Sequence, residues 1–585
     1  MQYPRAHPLD GRFSSPSTAH RPATPTTAPD RTHRRPTPTD PPDTSREPTT
    51  STAASPYSDA VTSTDTREQT APDRAPVVLG SLILVAGVAN INLAVANVAL
   101  PDIGKAFDAS STQLNLVAVG YSLGLAASVL YLGALGDRHG RKRMLLYGMA
   151  LSIPASIVAG IAPDIYTLMG ARVVGGLAAG LAFPTTLAMI TALWSGPGRT
   201  KAIAAWSAFG GAISALGPVM SGGLLEVFHW NAVFLVTLPL AVLALVLAWK
   251  LVPKDTGDER AVVDNLGGVL SVLLVGALVL AINFVPLDGS RTKVIVLGAI
   301  ALLAGIGFVW RQLRVRVPLF DLRVARRRTF WVAAVGGIIV FGTLMGAMFI
   351  GQQYLQNVLG YSTLEAGATI LPAALAMIVV APQSAKLVEA RGSRFTLLVG
   401  YFWIVAGLAL AVLTWHREAH AWQVIVVYLL VGMGVGFAGT PASRSLTGSV
   451  PVERAGMASG MSDLQRDLGG AIMQSMLGAI LTAGYAKALT QTIQSSPDAD
   501  HVSQQAADAL TKSFSSAEVL AQRYPQYSAQ IIDAARDAFV HGDSRAYAAA
   551  IGVVVAGAVL VALCYPNAEK ERAAMRAYAG ERLSG

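Results

Sequence analysis

Cysteine is almost missing from this chain. Cys564 stands alone in 585 residues, which excludes an internal disulfide framework and a metal site built on several cysteines. Charge is scarce as well. Only 14% of residues are Asp, Glu, Lys or Arg, against about 25% in a soluble domain, so the chain cannot cover an ordinary water-facing surface. A nucleotide-binding loop of the form GxxxxGK[ST] is absent, which removes ATP hydrolysis as the energy source. The nine histidines form no metal-ligand cluster, and no nucleophile–base–acid set emerges. Neither an enzyme nor a bound cofactor or metal is expected. The opening MQYPRAHPLDGRF has no apolar core behind its basic residues, so no secretory signal is expected there.

What the chain has instead is apolar length. Hydrophobic residues make up 52% of it, and the mean hydropathy is +0.46. Residues 1–75 are rich in Pro, Thr, Ser and Arg, lack apolar periodicity, and are expected to form a disordered tail. Beyond them, apolar runs are read near 77–99, 113–133, 144–162, 166–190, 202–222, 231–250, 265–286, 293–311, 330–351, 364–384, 395–415, 421–440, 455–483 and 546–565. That predicts about fourteen membrane-spanning helices by the length criterion. The runs are far too long for barrel strands, so the fold class is all-α and polytopic.

Basic residues crowd one alternate set of loops: DRHGRKR, GRTK, KLVPKDTGDER, RQLRVRVPLFDLRVARRR, EARGSR and KERAAMR. The opposite loops hold few, such as Lys105, Arg291, Lys293 and Arg417. Basic loops stay in the cytoplasm, so both termini are placed there, in a cell membrane. The net charge of +9 is therefore a topology signal, and nucleic acid is not an expected partner. The expected organisation is a cytoplasmic tail (1–75), a six-helix bundle (76–251), two linker helices with a basic loop (252–328), a second six-helix bundle (329–566) and a cytoplasmic tail (567–585). Within the second bundle, residues 484–545 form a long outer loop, either a partly folded cap or a loosely ordered connection. A split into two six-helix halves suggests a transporter with its site at the midplane between them.

The charged stretch GALGDRHGRKRM, Gly133 to Met144, lies between the second and third helices. It resembles the GxLaDrxGrkxxl loop of the major facilitator superfamily, with Gly133, Asp137, Arg138, Gly140, Arg141 and Lys142 in matching positions. Glycines allow a tight turn there. A carboxylate such as Asp137 can sit against a helix N-terminus of the opposite half, making a cytoplasmic latch. Other stretches resemble the fourteen-helix drug:proton antiporter branch: NINLAVANVALPDIG in the first helix, LMGARVVGGLAAGLAFPTT with Arg172 in the fourth, and ALGPVMSGGLLEVFHW in the fifth. In the last, Gly217, Pro218 and Gly222 match the antiporter motif, where Gly-Pro bends a helix at a close crossing. The resemblance covers about 77 to 566 and implies a major facilitator fold of two six-helix bundles with two central helices. It also implies the exchange of protons for quaternary ammonium and other lipophilic cations.

The chain departs from that pattern in places. Asn92 stands where the family has aspartate and Ala94 where it has threonine; Gly175, Leu116 and Ile213 replace further motif residues. Asn92 cannot ionise, although it can still hydrogen-bond a substrate. An arginine such as Arg172 costs roughly 2.5–3.5 kcal/mol at the bilayer centre, which marks it as an interior site residue. Tyr121, Gln353 and Gln356 join Asn92 and Arg172 as expected cavity residues; Asn90, Asn97 and Tyr354 are further polar candidates. Trp206, Phe209, Trp331 and Trp403 could stack on aromatic cations.

For a proton carrier the thirteenth helix offers Asp463 and Asp467, four apart and so on one face, with Arg466 on an adjacent row. The alternative is a salt-bridged cluster that only orients the helix. Glu365 is a weaker candidate. The expected function is secondary active efflux of lipophilic or cationic drugs by a monomer, with protons, a small-molecule substrate and the bilayer as partners. Export of an endogenous metabolite or lipid, or a non-transporting sensor on the same fold, are the alternatives.

Overall fold

In lipid, a helix satisfies each backbone N–H and C=O from within its own segment, so long apolar runs have one low-energy answer. The computed structural model describes Pro72 and residues 74–194, 196–254, 263–285, 289–316, 318–449, 455–496 and 503–580. Among them every regular element is helical. The expected tail over 1–75 therefore falls almost wholly outside the described residues.

The first six long helices are α1 (Ala75–Phe107), α2 (Ser111–His139), α3 (Arg141–Gly160), α4 (Ile165–Leu193), α5 (Gly196–Leu225) and α6 (Ala232–Leu251). Two more follow, α7 (Asn265–Phe284) and α8 (Arg291–Arg314). Then come α9 (Arg328–Gln353, continued by a π-helical turn over Tyr354–Val358), α10 (Thr363–Arg391), α11 (Ser393–Thr414), α12 (Ala421–Gly448) and α13 (Ala455–Ser495). The short helices α14 (Gln504–Lys512) and α15 (Phe514–Arg523) lead into α16 (Ser528–Cys564) and α17 (Ala568–Gly580). Among the described residues, thirteen spans are long and apolar enough to cross a membrane. The fourteenth expected span falls in α5, a 30-residue helix, many of whose side chains before Gly217 lie outside the described residues.

Large apolar side chains point outward along these helices. On α8, Leu302, Leu303 and Ile306 are more than half exposed. A soluble protein rarely shows such a surface, whereas a lipid-facing helix needs it. The protein is a multi-pass membrane protein. Its helices approach closely where small residues meet, since lipid adds no hydrophobic force between them. The α2–α4 crossing shows this: a Cβ at Gly176 would stand 2.1 Å from the Tyr121 carbonyl oxygen, and one at Gly124 2.2 Å from that of Val173.

The two extra helices form a hairpin closed by Asp264. Its carboxylate accepts from Gly267 N at 3.0 Å, Arg311 Nε at 3.0 Å and Gln312 Nε2 at 3.1 Å. The hairpin is tied to α2 through Tyr131 Oη, which donates to Asn265 Oδ1 at 3.2 Å. Deeper in the fold, Asn115 of α2 donates to Asn283 Oδ1 at 2.6 Å, and Asn283 donates to Ser475 Oγ of α13 at 2.8 Å.

Much of segment 484–545 is helical. The helix α13 runs on to Ser495, and α14, α15 and the start of α16 make a folded cap. Its anchors reach the α1–α2 corner. Lys512 Nζ donates to Asp108 Oδ2 at 2.7 Å, Ser516 Oγ to Asp108 Oδ1 at 2.8 Å, and Ser513 Oγ to the Ala109 carbonyl at 2.8 Å. Burial acts to raise the Asp108 carboxyl, but the bonds from Lys512 and Ser516 and the charges of Lys512 and Arg523 hold it below its ordinary value. The C-terminal segment is ordered too: Glu571 of α17 is buried and accepts from Ser393 N at 2.9 Å and Ser393 Oγ at 2.5 Å.

Candidate functional site

A single arginine organises the interior of the first six helices. Arg172 is buried on α4, beside the glycine-lined crossing that draws α2 against it. Its Nη1 donates to the Asn92 carbonyl on α1 at 2.6 Å, and its Nε to the Val117 carbonyl on α2 at 3.3 Å. The guanidinium stands 4.9 Å from the Tyr121 ring centroid and 5.7 Å from that of Phe234. Aromatic faces and carbonyl dipoles thus replace a carboxylate partner. The remaining nitrogen, Nη2, is buried without a hydrogen bond and faces a small cleft that Asn92, Tyr121, Ser156 and Phe234 line with it. The Asn92 side chain is itself engaged: Nδ2 donates to the Val88 carbonyl at 3.0 Å, and Oδ1 accepts from Thr237 Oγ1 at 3.3 Å.

Across from this centre stands α13. Asp463 and Asp467 are buried there, and Arg466 Nε meets Asp467 Oδ1 at 3.5 Å. Arg466 also lies over the Phe183 ring of α4, 5.1 Å from its centroid. One oxygen of each acid, Oδ2 in both, is buried without a partner. Tyr121 links the two centres, since the charges of both Arg172 and Asp467 act on its phenol.

The structure therefore brings together Asn92, Tyr121 and Arg172, with Asp467 and Arg466 facing them. Gln353 and Gln356 stand apart, at the outer end of α9. Gln356 Nε2 donates to the Val98 carbonyl of α1 at 3.1 Å, and Gln353 lines a cavity beneath the cap together with Asn357, Ser513 and Phe539. Asn97 accepts from Gln474 Nε2 at 3.2 Å, another bond from α1 to α13. Glu365 serves as a helix cap: Ser362 N donates to its Oε2 at 2.9 Å, and its own N–H donates to Ser362 Oγ at 3.3 Å. The S-x-x-E spacing signals that role in the sequence. Among the expected stacking residues, Trp206 is buried on Phe183 and donates to Thr186 Oγ1 at 3.1 Å, while Phe209 is exposed.

The charged stretch between α2 and α3 is barely a loop. Helix α2 runs through His139, and Gly140 alone, at φ 96°, separates it from α3. A side chain would strain that conformation. Arg141 Nη1 donates to the Ala188 carbonyl of α4 at 3.4 Å, and Lys142 Nζ to the Trp249 carbonyl of α6 at 2.8 Å. Cations at the last carbonyls of a helix complement its dipole. Arg138 is half-buried, Gly133 has open space around it, and the side chain of Asp137 lies outside the described residues.

The fifth-helix motif forms a crossing. A Cβ at Gly217 would stand 3.0 Å from that of Ala94 on α1, and one at Gly222 2.3 Å from the Thr363 carbonyl oxygen on α10. A Cβ at Gly367 of α10 would in turn stand 2.4 Å from the Pro218 carbonyl oxygen. Backbones from the first and last six helices touch there with no room for a methyl group.

Long apolar helices around buried charge define a helical membrane protein. Residues 82–473 match the model of the Major Facilitator Superfamily, and the chain belongs to that family. As a member it acts on small molecules within a membrane and is not an enzyme. It is 32% identical to the multidrug efflux pump LfrA of Mycolicibacterium smegmatis, over 84% of this chain and 97% of that one. It is 34% identical to the multidrug resistance protein Stp of Mycobacterium tuberculosis, over 66% and 72%. The methyl viologen resistance protein SmvA of Salmonella typhimurium is 28% identical over 80% and 94%. Among solved structures, an inward-facing, occupied bacterial homologue of the human lysosomal transporter Spinster shares the fold. Its TM-score is 0.56 at 18% identity, covering 83% of this chain and 96% of that one.

Proposed function

We propose that this protein is a monomeric exporter of lipophilic or cationic drugs in the cell membrane, driven by protons moving inward, with both termini in the cytoplasm. The observation that carries the reading is the pairing of two buried centres. Arg172 with Asn92 and Tyr121 lies on one side, and Asp467 with Arg466 and Asp463 on the other. A cation entering between them would meet aromatic faces and carboxylates, while a proton on Asp463 or Asp467 would remove the negative charge that held it. The names of LfrA, Stp and SmvA support the drug class.

In this reading residues 76–251 and 329–566 act as two bundles that rock about the centre. The stretch from Gly133 to Lys142 latches the cytoplasmic side, and Gly217, Pro218 and Gly222 shape the crossing. A charge crossing 100 mV is worth about 2.3 kcal/mol, enough to drive exchange. The test is accumulation of a fluorescent lipophilic cation in an efflux-deficient host. Lower accumulation that reverses when the proton gradient collapses is expected. No change in either condition, with the protein shown in the membrane, overturns the reading. One observation favours a second substrate class: Asn92, neutral where the family pattern has an acid, would suit an endogenous metabolite or lipid without positive charge.

A further inference from the structure

The outer end of the last six helices encloses an acid that the central site does not use. Asp543 of α16 is 1% exposed, and its Oδ1 is buried with no hydrogen bond. Among the described residues it forms no salt bridge. Three phenols lie about it: Tyr547 one turn on in its own helix, Tyr354 in the π-helical turn after α9, which shares the Trp415 ring with Tyr547, and Tyr428 of α12.

Two of those phenols are already committed. Tyr354 Oη donates to the His416 carbonyl at 2.7 Å, and Tyr547 Oη to the Ala347 carbonyl at 3.1 Å. Tyr428 Oη is buried and bonds no carbonyl; its polar neighbour is the side chain of Gln352 on α9, whose Oε1 is also buried and unpaired. Trp415, beyond the end of α11, stacks on Tyr354 at 4.6 Å and meets Tyr547 edge-on at 5.1 Å. From α13, Gly484 packs on Gly542, and the Tyr485 hydroxyl is turned to the Leu510 carbonyl at 3.1 Å.

An ionised carboxylate needs donors or a cation when water is excluded; Tyr354 and Tyr547 give their hydroxyls to carbonyls, Tyr428 faces Gln352, and no hydrogen bond reaches Asp543 Oδ1. A neutral carboxylic acid fits the same cage, because it brings its own donor. We propose that Asp543 is a proton-binding site of this transporter, with Tyr428 as the hydroxyl that answers its change of state. The π-helical turn supports this independently, since such segments gather at functional sites. Access is short: Phe539, one helical turn from Asp543, lines the cavity beneath the cap. A proton arriving from outside would bind Asp543 Oδ, and on release would leave a carboxylate that the Tyr428 O–H turns to meet.

The role in transport rests on the proton-coupled reading above; the binding of a proton does not. Infrared difference spectra of the full-length protein in nanodiscs, recorded across pH, are expected to show a buried carboxylic-acid carbonyl band that is lost in Asp543→Asn. Tyr428→Phe keeps the acid and should shift the pH at which that band disappears. In proteoliposomes, Asp543→Asn should lose the dependence of drug exchange on outer pH. A parent-minus-Asp543→Asn difference spectrum with no carboxylic-acid carbonyl band at any pH overturns the assignment, since the bands of Asp463 and Asp467 cancel in it. Should Asp543→Asn fail to fold, an unshifted band in Tyr428→Phe also overturns it. If the band behaves as expected while the parent protein shows no gradient-driven exchange, the proton site stands and the coupling reading fails.

Discussion

Two arginines inside the membrane helices, Arg172 buried and Arg466 half-buried, solve one electrostatic problem in different ways. Among the described residues no acid pairs with Arg172, which is held by two backbone carbonyls and two rings. Arg466 sits between two aspartates, meets Asp467 at 3.5 Å, and keeps 30% of its side chain exposed. The first arrangement is fixed, because carbonyls and rings do not titrate. The second changes charge whenever an aspartate takes a proton. The difference assigns steady positive potential to the first six helices and variable negative potential to the last six.

The largest effect that would break this comparison lies at Arg172. Arg172→Ala should lower efflux more than about tenfold, with about 1.5–3 kcal/mol of stability lost for each charge-assisted bond removed. Arg172→Lys should not rescue it, since a compact ammonium cannot span both carbonyls and a ring face. Accumulation assays and thermal unfolding in detergent measure the two parts. Full rescue by lysine would mean that charge alone matters there.

Next comes the titrating centre. Asp463→Asn with Asp467→Asn should abolish gradient-driven efflux. Arg466 would lose both charge partners, and because the Asp467 side chain is fully buried a loss of about 3–5 kcal/mol is expected in thermal unfolding. Transport that still follows the proton gradient in this double variant would sink the assignment of the variable potential.

The smallest expected effect is at the cap, where the last six helices rest on the first. Asp108→Asn should cost about 0–1 kcal/mol, as an exposed ion pair does. It should speed hydrogen exchange over residues 504–523. The Asp108 carboxyl is held below its ordinary 3.8, so its contribution is full above that value and fades as the pH falls through the lowered one. Acid should therefore loosen the cap in the parent protein and not in the variant. Equal exchange in both would show that Lys512 and Asp108 hold nothing.

Much of the fold is legible in the sequence because length and apolarity decide it. The span near 77–99 falls within α1 and that near 395–415 ends one residue past α11, and the Gly-Pro stretch of α5 lies at a crossing too tight for a side chain. The site is legible only in part. Asn92, Tyr121 and Arg172 meet because polar residues in apolar helices turn inward, but nothing in residue spacing separates Gln353 and Gln356 from them. The segment 484–545 looks like a loop because its helices are amphipathic, and their apolar faces find partners only on the assembled bundle. Asp543 falls inside that segment, and its aromatic surroundings come from α9, α12 and α16, far apart along the chain. The triad Asn115, Asn283 and Ser475 is hidden for the same reason, although isolated asparagines in apolar runs were its signal.

That triad sets a limit on stroke. Helix α7 is fastened to α2 at one end through Tyr131 and Asn265, and to both α2 and α13 further along through Asn283. A strap fixed to both leaves of a hinge determines how far the leaves can part before the strap must slip. If the bundles rock as proposed, the extra pair of helices would measure their travel, and shortening the Asn283 side chain would change the amplitude of opening without touching either charge centre.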